Sequence, residues 1–189
     1  MAHVNNELLN SEYIKKFASE KLIEEIFVPF NFIKEGTIQN LIHDLKYNSK
    51  FQSGIFLGEL IFLNGIEVIS KWKIDLIIPV PLHRLKKAER GYNQAEFIAK
   101  GIRRKSGIDL RTNSVKRTRF TQSQTKLDLV DRRKNMEGAF IVKNKKSIKQ
   151  KNILLVDDVM TTGATISECA RVLKKFGANK IYAVSVGLA

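Results

Sequence analysis

The 189-residue sequence contains one cysteine, Cys169, and three histidines. A single cysteine excludes an intramolecular disulfide and a cysteine-based metal cluster. The histidines, His3, His43 and His83, lack the spacing of zinc ligands, and His43 is predicted to be a partly buried structural residue on a helix. The sequence also has no convincing Ser/His/Asp or Cys/His set for nucleophilic catalysis. It therefore favours neither a zinc site nor a covalent mechanism.

Long apolar runs are absent as well. None approaches the roughly 20 residues of a membrane span, and the N-terminal MAHVNNELLN has no positively charged start that leads into an apolar segment. We therefore expect a cytoplasmic protein without membrane insertion. Its length suits a single domain over residues 1–189 with a hydrophobic core of its own.

The charge is strongly basic and unevenly distributed. Of the net charge of +14, residues 84–151 carry 21 Lys and Arg against 6 Asp and Glu, whereas the remaining residues are nearly balanced. Such a concentration attracts polyanions, either nucleic acid or a multiply phosphorylated small molecule. The alternative is a basic surface that only promotes solubility.

Hydrophobic periodicity predicts alternating strands and helices, and hence a parallel sheet with helices on its faces. A helix is expected to follow Asn93, its N-cap, and to end before Gly107. Residues 115–136 have no clear period and are predicted to form a long basic loop. Four other helices are predicted. One has Ile38, Leu41, Ile42 and Leu45 on one face, and the others cover residues 12–19, 55–63, with Ser53 as its cap, and 165–177. The predicted strands are residues 25–33, 74–84, 139–142, 152–156 and 180–188.

The stretch NILLVDDVMTTGAT, residues 152–165, predicts an anion site. The loop after the strand lies where the next helix begins, so its N–H groups and the helix dipole favour phosphate. Gly163 permits close approach of the backbone, and Thr165 is predicted to cap the helix. Since carboxylates repel phosphate, Asp157 and Asp158 are expected to bind the hydroxyls of a sugar. A ribose 5-phosphate suits both halves, and a divalent cation would reduce the charge conflict.

The acidic pair also has a second interpretation, because an apolar strand followed by two acids occurs in Mg²⁺-binding phospho-receiver proteins. The complete stretch, however, resembles the phosphoribosyl-diphosphate motif of type I phosphoribosyltransferases. Residues 79–102 (PVPLHRLKKAERGYNQAEFIAKGI), 117–140 and 41–47 (LIHDLKY) are similar to the ComF-type branch, which is associated with competence for DNA uptake. The resemblance covers about residues 28–188. Many ComF-type proteins begin with a Cys-rich zinc module that this sequence lacks, so the chain is either truncated or a variant without it.

The resemblance implies a Rossmann-like parallel sheet of about five strands, with residues 1–50 contributing a small hood. It implies phosphoribosyl diphosphate as ligand and Mg²⁺ as cofactor, the ion being bound mainly by ligand oxygens, with Asp157 and Asp158 as candidate ligands. These two acids would hold the ribose in catalysis. The implied 5-phosphate residues are Met160, Thr161, Thr162, Gly163, Ala164 and Thr165; those for pyrophosphate are Leu82, His83 and Arg84; those of a mobile loop or phosphate clamp are Arg90, Tyr92, Asn93, Arg132 and Arg133.

Three function classes follow from these residues and from the resemblance. The first is transfer of a phosphoribosyl group to an unknown acceptor, expected to be a nitrogen, with release of pyrophosphate. The second is a non-catalytic protein that senses phosphoribosyl diphosphate. The third is a competence accessory that binds single-stranded DNA through its basic third, where Tyr92 and Phe120 are candidates for stacking on a base. A homodimer is a further expectation.

Overall fold

The computed structural model describes residues 5–17, 22–31, 36–48, 50–119 and 136–188. The helices are α1 (Asn6–Phe17), α2 (Thr37–Tyr47), α3 (Phe51–Asn64), α4 (Ile66–Lys71), α5 (Arg84–Arg90), α6 (Gln94–Ser106) and α7 (Ala164–Lys175). The strands are β1 (Glu25–Phe27), β2 (Phe30–Asn31), β3 (Leu76–Pro79), β4 (Asp109–Leu110), β5 (Val115–Arg117), β6 (Phe140–Val142), β7 (Ile153–Met160) and β8 (Ile181–Leu188).

The central sheet is parallel, as the alternating pattern predicts. Its order is β1–β8–β7–β3–β4, and β2 pairs with β8 beyond β1. The sheet thus has six strands, one more than the predicted number of about five, because β1 and β2 both pair with β8. Residues 25–33 are predicted to form one strand in the hood region, and residues 32–33 lie outside the described residues. Here residues 25–31 supply two short strands at the sheet edge, with Pro29 between them at the position where it costs no ladder hydrogen bond.

The central strands contribute side chains to two hydrophobic cores, because successive side chains of a strand point to opposite faces of the sheet. On β7, Ile153 and Leu155 pack in the core with α7, whereas Leu154 and Val156 pack in the core with α2, α3 and α6. The strands are therefore buried on both sides, which explains their continuous apolar runs. The antiparallel pair β5–β6 covers the first of these faces through Val115, Phe140 and Val142.

Helices α3 and α6 pack against each other through glycine. A Cβ atom on Gly58 would collide with the backbone carbonyl of Ile98, and one on Gly101 would collide with that of Ile55. The two backbones can approach this closely only because both positions lack a side chain. This contact places the N-terminus of α6 beside the carboxyl ends of β3 and β7.

Several predicted boundaries are wrong for local reasons. Helix α3 begins at Phe51 after Lys50, so Ser53 lies inside the helix and does not cap it. Strand β7 extends past Val156 to Met160 because it remains paired with β8, as in Asp157 with Ser185 and Met160 with Leu188. Helix α1 covers Asn6–Phe17 instead of 12–19.

Among the described residues, one helical stretch, Phe51–Lys71, is long and apolar enough to span a membrane by length and composition alone. It comprises α3 and α4, which meet at Gly65. One third of its most apolar window is buried inside the protein, where Leu57, Ile61 and Ile69 belong to the core.

Candidate functional site

A cavity of about 230 Å³ opens at the carboxyl ends of β3 and β7. In a parallel sheet this edge is the usual position for a ligand. The loop after β3, both aspartates of β7 and the corner between α5 and α6 form its walls. Its lining residues are Lys46, Val80, Pro81, Leu82, Lys86, Arg90, Asn93, Gln94, Ala95, Arg117, Asp157, Asp158, Val159 and Thr165.

The two acids face this cavity from consecutive positions of β7. The side chain of Asp157 accepts the N–H of Asp158 at 2.9 Å through Oδ1, and that of Asp158 accepts the N–H of Val159 at 2.8 Å. Each carboxylate thus uses one oxygen to hold the backbone. Asp158 Oδ2 also accepts from Lys46 Nζ of α2 at 2.9 Å, so the hood helix is tied to the acidic pair.

The surroundings separate the two acids electrostatically. Burial, together with the adjacent charge of Asp158, raises the pKa of Asp157 well above its ordinary value. Burial would also raise the pKa of Asp158, but the ammonium group of Lys46 outweighs it and lowers that pKa. Asp158 is therefore the charged partner of an ion pair. Ionisation of Asp157 costs free energy, because it places a second negative charge beside Asp158. A cation or a hydroxyl donor in the cavity would reduce that cost.

The turn after β7 leads directly into α7. Gly163 adopts a left-handed conformation, φ +77°, as the residue before the helix, which explains the need for glycine there. Thr162 Oγ1 accepts weakly from the N–H of Ala164 at 3.5 Å, and no side chain in the described part of the chain caps α7. The N–H groups of the next two residues, Thr165 and Ile166, are thereby left for another acceptor. Thr165 lies inside the helix, so its predicted capping role is wrong.

The six residues expected to bind a 5-phosphate differ in their position. Thr165 lines the cavity, and Thr161 is exposed beside it. Met160 is 4% exposed and packs in the core, Gly163 and Ala164 are buried, and Thr162 is half-buried. Binding of a 5-phosphate by these six residues stays a prediction.

The residues expected to bind pyrophosphate divide between several roles. Leu82 lines the cavity. His83 is buried and caps α5, because its Nδ1 accepts the N–H of Leu85 at 3.3 Å. A role of His83 in pyrophosphate binding stays a prediction. Arg84 is exposed and lines a neighbouring cavity.

The residues of the sequence ERGYNQ occupy three different environments at the α5–α6 corner. Asn93 caps α6 by accepting the N–H of Ala95 and donates from Nδ2 to Val80 O at 3.0 Å, so it joins the helix to the loop after β3. Arg90 lines the cavity and donates to Gln94 Oε1 at 3.2 Å. Tyr92 is buried between Phe51 and Phe97, and its hydroxyl donates to Leu45 O. Tyr92 thus anchors α2, and the prediction that it faces the ligand is wrong.

Four cationic side chains line the cavity, and Arg90 alone was among the predicted site residues. The other three are Lys46, Lys86 and Arg117. Burial and the nearby charges of Arg117 and Arg90 lower the pKa of Lys86. Sequence signals existed for two of them, since Lys46 lies in LIHDLKY and Lys86 follows the loop after β3. No local sequence pattern predicts that α2, α5 and β5 meet at one cavity.

The two described ends of the basic segment 115–136 contact each other, and Arg117 at the first end lines the cavity. Arg117 donates from Nη2 to Met136 Sδ at 3.4 Å, and Thr118 N donates to Ala139 O at 2.9 Å. Gly138 N is held by the buried carboxylate of Glu168, which also accepts from Arg171. Arg132, Arg133 and Phe120, for which a clamp or stacking role was predicted, lie outside the described residues.

A second cavity of about 230 Å³ adjoins the first and shares Pro81, Leu82, Asn93 and Arg117 with it. Its lining also includes Arg84, Lys87, Lys116 and Lys143, together with Glu96, which pairs with Lys87 at 3.1 Å. This cavity is therefore strongly cationic.

His43 is exposed and contacts Tyr47 with ring centroids 4.8 Å apart. Its predicted role as a partly buried structural residue is therefore wrong.

The chain is similar to known proteins over most of its length. Residues 72–187 match the phosphoribosyl transferase domain. Competence protein F of Haemophilus influenzae is 34% identical over 145 residues, which cover 75% of this chain and 63% of the relative. DNA utilization protein YhgH of Escherichia coli K12 is 30% identical over a stretch that covers 73% of this chain and 61% of the relative. This chain thus spans about three fifths of these relatives. A hypoxanthine phosphoribosyltransferase structure from Staphylococcus aureus is similar with a TM-score of 0.44, 16% identity, and coverage of 71% and 62%. The ComF-type resemblance is confirmed.

Proposed function

The chain belongs to the phosphoribosyl transferase domain family, and on this premise we propose that it binds phosphoribosyl diphosphate and transfers its phosphoribosyl group to a nitrogen acceptor. One observation carries the proposal. Asp157 and Asp158 line the same cavity as Thr165, the second residue of the helix that follows the glycine turn. Carboxylates for hydroxyls and N–H groups for a monoester phosphate thus lie at one edge of the sheet.

The reaction would break the bond between C1 of the ribose and the diphosphate oxygen, with the bonding electrons leaving on pyrophosphate. A nitrogen lone pair would form the new bond to C1, and the nitrogen would then lose a proton to solvent water. Positive charge develops on the ribose, which Asp157 and Asp158 would hold through its hydroxyls and stabilise by their charge. Negative charge develops on the leaving group, where Lys86, Arg90 and Arg117 offer compensation.

The side chains of the cavity could supply only some of the ligands of a Mg²⁺ ion. Among the described residues no group of three or more His, Cys, Asp or Glu side chains could hold a metal. Asp157 and Asp158 are hard oxygen ligands in the cavity, so the ion would be held mainly by ligand oxygens with these carboxylates beside it. Once bound, it would neutralise charge on the diphosphate.

The proposal is tested by isothermal titration with phosphoribosyl diphosphate, with and without Mg²⁺. Binding that the double substitution D157N/D158N abolishes supports it, whereas no binding by the unmodified chain contradicts it. Pyrophosphate release is then measured across a panel of amine and base acceptors. Binding without release for any acceptor would favour the sensor function over the transferase.

A second candidate function, binding of single-stranded DNA, is favoured by the second cavity. Its cations lie beside the first cavity, and a DNA utilization protein is among the relatives. Contacts with phosphates make the affinity depend on salt, with a log–log slope of about −0.7 for each neutralised phosphate of a single strand. A slope near zero would exclude this function.

A further inference from the structure

The side-chain amide of Gln94 is held in one orientation at the cavity wall. Gln94 is the first residue of α6, is 2% exposed and lines the first cavity. Its Oε1 accepts from Arg90 Nη1 at 3.2 Å. Because a guanidinium group only donates hydrogen bonds, the atom that faces Arg90 must be the oxygen. The amide NH₂ is thereby directed away from Arg90.

This NH₂ group has no hydrogen-bond partner among the residues that the structure describes. Buried side-chain donors in native proteins are nearly always satisfied, and an unsatisfied one is costly. Since Gln94 lies on the wall of a cavity, a water molecule or an acceptor atom of a bound ligand can satisfy this donor. A ligand that displaces the water must therefore offer an acceptor atom at this position.

The neighbours of Gln94 define the kind of acceptor. Arg90 and Lys86 of α5 and Asn93 before α6 line the same cavity as Gln94, and all can donate. The carboxylates that line the first cavity, Asp157 and Asp158, come from β7. Glu96 of α6 lines the second cavity, where it pairs with Lys87. The positive end of the α6 dipole points in the same direction. An anionic oxygen is thus favoured over a neutral carbonyl.

We propose that Gln94 is a specificity-determining residue, whose Nε2 donates to an oxygen of the ligand's diphosphate and so separates phosphoribosyl diphosphate from sugar monophosphates. The inference rests on the proposed function. Arg90 acts as a positioning residue, because it keeps the donor side of the amide turned toward the ligand. The acidic pair and the turn before α7 serve the other end of the same molecule.

The experiment compares the binding of inorganic pyrophosphate, phosphoribosyl diphosphate and ribose 5-phosphate to the full chain in the presence of Mg²⁺. The variants are Gln94→Met, which removes the donor, and Gln94→Glu, which keeps an acceptor for Arg90 but replaces the donor by a carboxylate. Asn113→Leu is the control, since Asn113 is an exposed amide that lines only the second cavity within the described residues. Melting temperatures of all variants report folding.

We expect Gln94→Met to weaken pyrophosphate and phosphoribosyl diphosphate binding by about tenfold or more, and Gln94→Glu to weaken it further. Ribose 5-phosphate binding should remain unchanged in both variants. If Gln94 only holds Arg90, Gln94→Glu will bind pyrophosphate like the unmodified chain, which overturns the inference. Equal loss of ribose 5-phosphate also overturns it. Failure of the unmodified chain to bind phosphoribosyl diphosphate instead defeats the proposed function.

Discussion

Lys46 Nζ lies 2.9 Å from Asp158 Oδ2, and this ion pair connects α2 to the acidic end of β7. Both side chains are largely buried, with 23% and 19% of their surfaces exposed. The contact places a cation of the N-terminal region on a carboxylate proposed to bind ribose. A sugar that enters the cavity must therefore share Asp158 with Lys46 or displace it.

Lys46→Met should destabilise the protein, because it leaves two adjacent carboxylates without this cation. We expect a loss of about 1–3 kcal/mol in the free energy of unfolding at pH 7, measured by urea denaturation. The folded-state pKa of Asp158 lies below its ordinary value of 3.8. The pair's contribution is hence fully present above pH 3.8 and is lost as the pH falls through the folded pKa. An equal loss at pH 7 and at a pH below the folded pKa of Asp158 would contradict this origin.

Asp157→Asn should have the opposite effect on stability. The pKa of Asp157 is raised well above 3.8 in the folded protein, so between these values the folded state binds a proton that the unfolded state does not. Stability then falls as the pH rises through this window. Removing this titrating group should stabilise the protein by about 1–2 kcal/mol at pH 7 and flatten the fall of stability with pH above pH 3.8.

The same substitution should abolish binding of phosphoribosyl diphosphate if the proposed function is correct. Ser185→Ala is a matched control, because Ser185 is buried beside Asp157 on β8 and its hydroxyl donates within its own strand. Thermal melts across the pH range, paired with titration calorimetry, measure both effects. A less stable Asp157→Asn variant at pH 7 would contradict the raised pKa.

Local patterns were sufficient to predict the sheet and most helices. The run NILLV and the spacing of Ile166, Cys169, Ala170 and Leu173 predict a buried strand and an amphipathic helix, and both are present. The cap of α6 at Asn93 was also predicted and is confirmed. In each case the signal lies within a few residues of the feature that it predicts.

The errors concern features that depend on distant partners. Tyr92 resembles a ligand-facing aromatic in its basic surroundings, yet Leu45, 47 positions away, accepts its hydroxyl. The same holds for β7, whose extension to Met160 depends on pairing with β8. Lys46 and Arg117 enter the cavity from separate elements, so no spacing in the sequence could bring them together. The acidic pair was identifiable because motif and site coincide.

Gly58→Ala should destabilise the fold without any direct effect on the cavity. Its Cβ would meet the backbone carbonyl of Ile98, and backbone cannot move aside as a flexible side chain can. We expect a loss of about 1–3 kcal/mol in the free energy of unfolding. Gln52→Ala, at an exposed position of the same helix, serves as the control and should change stability little. A neutral Gly58→Ala would show that α3 and α6 can separate.

The two cavities should be separable by substitution if the second one binds single-stranded DNA. Within the described residues, Lys116 and Lys143 line only the second cavity. Changing both to methionine should reduce the magnitude of the log–log salt slope by about 1.4, since each phosphate contact contributes roughly 0.7. Affinity for phosphoribosyl diphosphate should not change. Lys71 and Lys180 are suitable controls, because they are exposed and precede β3 and β8, at the opposite edge of the sheet. An equal reduction in slope from the control pair would mean that DNA binds through net charge alone.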